Sequence, residues 1–166
     1  VKAMDEMFGA VGSQRQIVRW AFEKGTNVGD VKRFEVANMG NVIAKLKKVK
    51  PENIFLGNGS DEPIDLLFRA FCEPGTDHAV FISPSYGMYE VAANINNVTF
   101  TQVQLGAEVQ LDAEAVLLAA KRKNGALIST KLIFLCSPNN PSGNLLDRAG
   151  IKRILEEFDG LVVIDE

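Results

Sequence analysis

From residue 51 to residue 166, short apolar runs alternate with stretches whose apolar positions recur at helical spacing. Asn53-Ile54-Phe55-Leu56 reads as a short strand and Gly57-Asn58-Gly59-Ser60 as a tight turn. Ser60 suits an N-cap, with Asp61, Glu62 and Pro63 in the first turn of a helix. Ile64, Leu67, Phe68 and Phe71 then lie on one helical face, and Pro74-Gly75 ends that helix. Residues 79–82 form the next strand, and Ser83-Pro84-Ser85 opens a helix running to about Asn94. Residues 98–105 alternate as a strand does. Asp112 caps a helix with Ala113, Val116, Leu117 and Ala120 on one face. A strand at 131–136, a helix marked by Ile151, Ile154, Leu155 and Phe158, and a last strand at 161–165 complete the pattern. Strands alternating with helices imply crossover connections and a mainly parallel sheet covered on both faces, a three-layer α/β/α fold.

The beginning of the chain is less regular. Residues 14–24 have helical spacing, with Ile17, Trp20 and Ala21 on one side and Gly25 as the stop. Residues 25–30 read as a loop, and residues 42–48 as a short helix with lysines on its outer side. Residues 1 to about 40 thus give no clear order of elements. The chain reaches Glu166 directly after a buried strand, which leads us to expect part of a longer protein.

Composition narrows the function classes. Hydrophobic residues make up 46% and charged residues 23%, as in a globular domain with a core. A net charge of −3 gives no basic footprint for nucleic acid or a membrane surface. No apolar run approaches the roughly 20 residues of a membrane helix, and the start lacks a signal-peptide core. Cys72 and Cys136 sit in apolar runs, so buried thiols and a reducing, cytoplasmic compartment are expected. His78 is the only histidine, and no metal-ligand spacing occurs.

Polar residues recur where apolar runs end. Gly57-Asn58-Gly59-Ser60-Asp61 joins a strand to a helix, where backbone N–H groups can hold an anion such as phosphate. The acidic side chains of Asp61 and Glu62 would have to turn away from it, and an ordinary capped turn is the plain alternative. Tyr86 stands near a helix start, where its ring could stack on a flat ligand; equally, Tyr86 and Tyr89 could be packing residues. Ser137-Pro138-Asn139-Asn140-Pro141-Ser142-Gly143 follows the 131–136 strand, and Asp165 ends the last one. A turn plus a surface carboxylate is the ordinary alternative. Taken together, a phosphate cradle, a stacking ring, an Asn donor and a carboxylate suit a flat, phosphorylated, nitrogen-containing ring. Pyridoxal 5'-phosphate needs all four, with Asn140 at its phenolic oxygen and Asp165 at its pyridine nitrogen.

Gly57-Asn58-Gly59-Ser60-Asp61-Glu62, Arg69-Ala70-Phe71-Cys72-Glu73-Pro74-Gly75, Pro84-Ser85-Tyr86-Gly87-Met88-Tyr89 and the 137–143 stretch resemble histidinol-phosphate aminotransferases. That family has the aspartate-aminotransferase-like fold of pyridoxal-phosphate enzymes, and the likeness covers about residues 43–166. The resemblance thus implies a division into an N-terminal segment, 1–42, and a domain, 43–166. It implies a partial large domain with Ser60 and Asp61 at the cofactor phosphate, Tyr86 on the ring, Asn140 at the phenolic oxygen and Asp165 at the ring nitrogen. The implied reaction is amino transfer between L-histidinol phosphate and 2-oxoglutarate in histidine biosynthesis, by a homodimer acting on small molecules. Residues 1–42 lack the family's Asn-Glu-Asn-Pro and Arg-Tyr-Pro stretches, and no lysine here stands in the Ser-Lys context of the Schiff-base lysine. The resemblance thus implies no catalytic residue within this chain, and leaves a non-catalytic binding module as the alternative.

Overall fold

Val80, Ile82, Ile133, Leu135, Val162 and Ile164 belong to one buried apolar cluster; their chain neighbours Ala79, Phe81, Leu132, Phe134, Leu161 and Val163 belong to another. Side chains of a strand alternate between faces, so a strand apolar at successive positions must be covered on both sides. The computed structural model describes residues 17–20, 36–123, 126–127 and 129–166. Its main sheet is built from β1 (Ile17–Trp20), β2 (His78–Ser83), β3 (Thr99–Gln104), β6 (Thr130–Cys136) and β7 (Leu161–Asp165). A two-residue antiparallel hairpin, β4 (Arg122–Lys123) with β5 (Ala126–Leu127), lies between β3 and β6 in the chain. The strand order is β1-β7-β6-β2-β3, and every neighbouring pair is parallel.

The helices are α1 (Val36–Lys47), α2 (Asp61–Phe71), α3 (Met88–Ile95), α4 (Ala113–Lys121) and α5 (Arg148–Glu157). α2 and α3 cover one face of the sheet through Ile64, Leu67, Phe68, Tyr89, Ala92 and Ala93. α4 and α5 cover the other through Val116, Leu117, Ala120, Ile151, Ile154 and Leu155. Phe68 is fully buried and stacks on Phe134 with ring centroids 5.4 Å apart. Burying such a side chain stabilises the fold by about 1.5–3 kcal/mol. The three-layer α/β/α architecture expected from the alternation is the one observed. Among the described residues, no helix is long and apolar enough to cross a membrane.

Two expectations are corrected. Residues 53–56 are not a strand. Pro51–Asn53 makes one 3-10 turn, Ile54 follows with extended backbone, and Phe55 is 52% exposed. Both sides of β2 are taken by parallel partners, and the run pairs with no strand of the main sheet, the outer side of β3 included. Short apolar runs do not by themselves specify pairing. Within the 14–24 stretch read as a helix, Ile17–Trp20 is instead β1, in register with β7 from Ile17↔Val162 to Trp20↔Asp165. An Ile-Val-Arg-Trp run satisfies a β pattern as well as a helical one, and the open edge of β7 decides. The rest of that stretch, and the loop expected at 25–30, lie outside the described residues.

Smaller shifts follow local chemistry. α1 starts at Val36, before the expected residue 42. α3 starts at Met88, because residues 84–87 form the loop leaving β2. Asp112 accepts from the N–H of Ala115 at 3.0 Å and so caps α4 as expected. Asp147 does the same for α5, accepting from Gly150 at 2.8 Å.

Candidate functional site

The sheet order sets where a ligand can enter. From β2 the chain goes outward to β3; from β6 it goes the opposite way, to β7. β2 and β6 are neighbours, so their carboxyl ends flank a crevice where the connections diverge, which is the usual ligand position in open α/β sheets. The loops leaving these two strands are Ser83-Pro84-Ser85-Tyr86 and Ser137-Pro138-Asn139-Asn140. Asn139, only 2% exposed, holds them together. It accepts from Ser85 Oγ at 3.0 Å, and its Nδ2 donates to Pro84 O at 3.0 Å and to Ser142 Oγ at 2.7 Å. Its main chain also closes the turn: Asn139 N donates to Asn144 O at 2.8 Å, and Gly143 N donates to Asn139 O at 2.6 Å. Gly143 has φ +73, a left-handed conformation that favours glycine.

Ser60 stands at the N-cap position of α2, but its side chain makes no cap and its backbone is already helical. Glu62 Oε2 accepts from Asn58 N at 2.5 Å. Asp61 Oδ1 accepts from the Tyr86 hydroxyl at 2.8 Å. Asp61 is thus turned onto Tyr86, whereas Glu62 is turned onto a backbone donor of the 57–60 turn itself, so that N–H is not open to an anion. Pro63 has no N–H, so the donors of this helix start are those of Ser60, Asp61 and Glu62.

Asp165 is half-buried at the end of β7, and Ser137 N donates to its carbonyl at 2.8 Å. Its Oδ2 accepts from the Tyr89 hydroxyl at 2.6 Å. Burial pushes the Asp165 carboxyl above the ordinary carboxylate value; the Tyr89 bond pulls it down, and the charge of Asp61 pushes it up again. Tyr86 lies between the two acids, with its ring edge-on to Tyr89 at 5.7 Å. The bond to Asp61 raises the Tyr86 phenol, with burial and the Asp165 charge adding to it, and the Ser60 side chain opposes.

Four of the five residues singled out in the sequence, Ser60, Asp61, Tyr86 and Asp165, thus form one electrostatically linked group. Asn140 is set apart: it is exposed on the turn after β6, and its backbone lies against the Cys136 thiol. Two residues that periodicity did not single out complete the arrangement. Tyr89 is fully buried one helical turn beyond Tyr86, and Asn139 precedes the Asn-Pro pair that draws attention to the turn. A second tyrosine three residues after the first, at a helix start beside a strand-end carboxylate, was the available signal. Among the described residues, no group of His, Cys, Asp and Glu could hold a metal ion. A cavity of about 480 Å³ opens between the starts of α4 and α5, beside Asp112, Asp147 and Arg153, and shares no residue with this group.

Known proteins carry the same arrangement of elements. Solved structures of the histidinol-phosphate aminotransferases of Clostridium acetobutylicum and Sinorhizobium meliloti, the latter in complex with pyridoxal-5'-phosphate, superpose with TM-scores of 0.64 and 0.68. Each likeness covers 84% of this chain, and 40% and 37% of those chains, at 24% and 22% identity, so it is a likeness of fold. In sequence, the chain is 62% identical over 124 residues to the histidinol-phosphate aminotransferase of Parabacteroides distasonis, covering 75% of this chain. It spans 34% of the length of that relative. The family model for aminotransferase class I and II matches residues 29–166, which takes in every strand and helix around the crevice except β1. By sequence over that span, and by the fold that the span builds, the chain belongs to the aminotransferase class I and II family.

Proposed function

We propose that this chain is the cofactor-binding part of a pyridoxal-phosphate-dependent enzyme that moves an amino group between L-histidinol phosphate and 2-oxoglutarate, in histidine biosynthesis. A homodimeric assembly and a cytoplasmic location belong to the same proposal. The observation that carries it is the gathering of Ser60, Asp61, Tyr86 and Asp165 beside the crevice between β2 and β6. L-histidinol phosphate rests on the names of the relatives, and 2-oxoglutarate on the resemblance of the motifs alone.

The residues fit the cofactor. A carboxylate that burial makes hard to ionise is matched by a cationic ring nitrogen, whose charge would restore the ionised form. The first turn of α2 offers the backbone N–H groups of Ser60, Asp61 and Glu62 to a phosphate, with the Asp61 side chain held by Tyr86 and Asn58 N already taken by Glu62. Tyr86 has a half-buried ring at the crevice for stacking, and Asn140, at the exposed turn, would donate to the phenolic oxygen. When bound, pyridoxal phosphate supplies the electron sink for bond breaking at the substrate's α-carbon. This chain's residues would anchor, orient and keep protonated the ring that does so.

The test is glutamate formation from 2-oxoglutarate and L-histidinol phosphate by the full-length protein with pyridoxal phosphate. Cofactor binding without glutamate formation refutes the substrate pair. Failure of both pyridoxal phosphate and pyridoxamine phosphate to bind refutes the cofactor site itself.

A further inference from the structure

We propose that Tyr89 is a positioning residue for Asp165: its hydroxyl fixes one carboxylate oxygen and so presents the other to the cofactor ring nitrogen. The inference rests on the cofactor reading above. Its basis is the way Tyr89 is held. The ring is fully buried, stacked on Phe134 with centroids 4.8 Å apart at 24°, tilted against Phe81 at 6.0 Å, and edge-on to Tyr86 at 5.7 Å. Contacts on three sides leave the phenol little freedom. The hydroxyl then reaches Asp165 Oδ2 at 2.6 Å, an ordinary length for a hydroxyl bonded to a charged acceptor.

The direction of this bond is fixed as well. Burial, with the nearby Asp165 and Cys136, pushes the Tyr89 phenol far above its ordinary value, so it keeps its proton at any working pH. A tyrosine has one proton to give, and here it goes to Oδ2. The groups facing Asp165 are Tyr89 from α3, Asp61 from α2, Tyr86 of the loop after β2, whose hydroxyl donates to Asp61, and the Cys136 thiol of β6, which itself donates to Pro138 O at 3.4 Å. Among them only Tyr89 donates to the carboxylate, so it stabilises the charge without adding a cation to compete for the ring. An unbound carboxylate rotates about its terminal torsion and offers either oxygen. Tyr89 removes that choice.

The test uses the full-length protein and two variants, Tyr89→Phe and Asp165→Asn, with pyridoxamine 5'-phosphate labelled with 15N in its ring. This probe binds without a covalent bond to lysine. Two signals are read: the 13C carboxyl titration of Asp165, and the 15N shift of the bound ring. In Tyr89→Phe, which keeps the packed ring, the Asp165 midpoint should rise and the ring nitrogen should move toward its unprotonated shift. Affinity should fall on the order of tenfold, as for loss of one hydrogen bond to a charged group. Loss of packing alone would not move the ring nitrogen. In the unsubstituted full-length protein, the Tyr89 hydroxyl proton should shift as Asp165 ionises, a measurement that needs no variant. If Asp165→Asn changes the bound ring and Tyr89→Phe does not, the positioning role is overturned and the cofactor site stands. Should Asp165→Asn leave affinity and ring nitrogen unchanged, the cofactor reading falls, and this inference with it.

Discussion

The Tyr86 hydroxyl donates to Asp61 Oδ1 at 2.8 Å and so ties the loop leaving β2 to the first turn of α2. The two elements meet over the crevice between β2 and β6. The bond makes the phenol harder to ionise, because a tyrosinate would face a carboxylate.

Asp61→Asn should therefore bring the Tyr86 titration down toward the ordinary tyrosine value. The chain has two tyrosines, and the buried Tyr89 titrates far higher, so the first phase of an ultraviolet titration reports Tyr86 alone. A first phase unmoved by the substitution would show that Asp61 does not set the phenol's environment.

Asp165→Asn should stabilise the ligand-free chain at neutral pH. Burial raises the Asp165 carboxyl above its ordinary 3.8. Above the raised folded-state midpoint, the native chain holds a half-buried charge that the unfolded chain would hydrate. The folded state binds the proton more tightly, so this group's contribution to stability increases as pH falls through that midpoint toward 3.8. Asp77 has the opposite sign. Burial opposes its ionisation, but the Glu73 N–H, the Ser129 side chain and Lys131 together lower its value, so its contribution is lost as pH falls below 3.8. Thermal melts from pH 4 to 8 on the parent and Asp165→Asn should differ most at the upper end of that range. Equal melting temperatures at pH 8 would contradict the assignment.

Asn139→Ala should loosen the crevice. It removes a buried side chain that bonds Ser85, Pro84 and Ser142, and it leaves partners unsatisfied. The expected loss is about 2–4 kcal/mol, from one or two unsatisfied groups. Urea unfolding measures it, and a loss under about 0.5 kcal/mol, the range of an ordinary surface substitution, would count against the clasp. Asn140→Ala, on the exposed side of the same turn, should cost far less stability.

Gly160→Ala should destabilise through a close approach. A Cβ at 160 would lie 2.8 Å from the carbonyl oxygen of Lys131 and 2.4 Å from the Phe158 ring. The ring could rotate away, but the carbonyl belongs to β6 and cannot without disturbing the sheet. A loss of about 1–3 kcal/mol is expected, as for overpacking a well-filled site. Denaturant unfolding that leaves the midpoint in place would show that the turn can open.

Periodicity alone determined the three covered strands β2, β6 and β7 and the helices between them, because each needs two apolar faces or one apolar stripe. Tyr86 and Asp165 were legible because a polar residue at or after the end of an apolar strand marks the carboxyl edge of a sheet, and Ser60 because it opens a helix. Pairing was not legible. Ile17–Trp20 and residues 53–56 carry similar short apolar runs, yet the first pairs with the edge of β7 and the second pairs with no strand of the main sheet. Contacts distant in sequence were equally out of reach. Tyr89 on Asp165, and Asn139 on Ser85, join segments far apart in the chain, and their partners exist only once β2, β6 and β7 lie side by side. Local pattern fixes which face of an element is buried; the order of strands decides which polar groups meet.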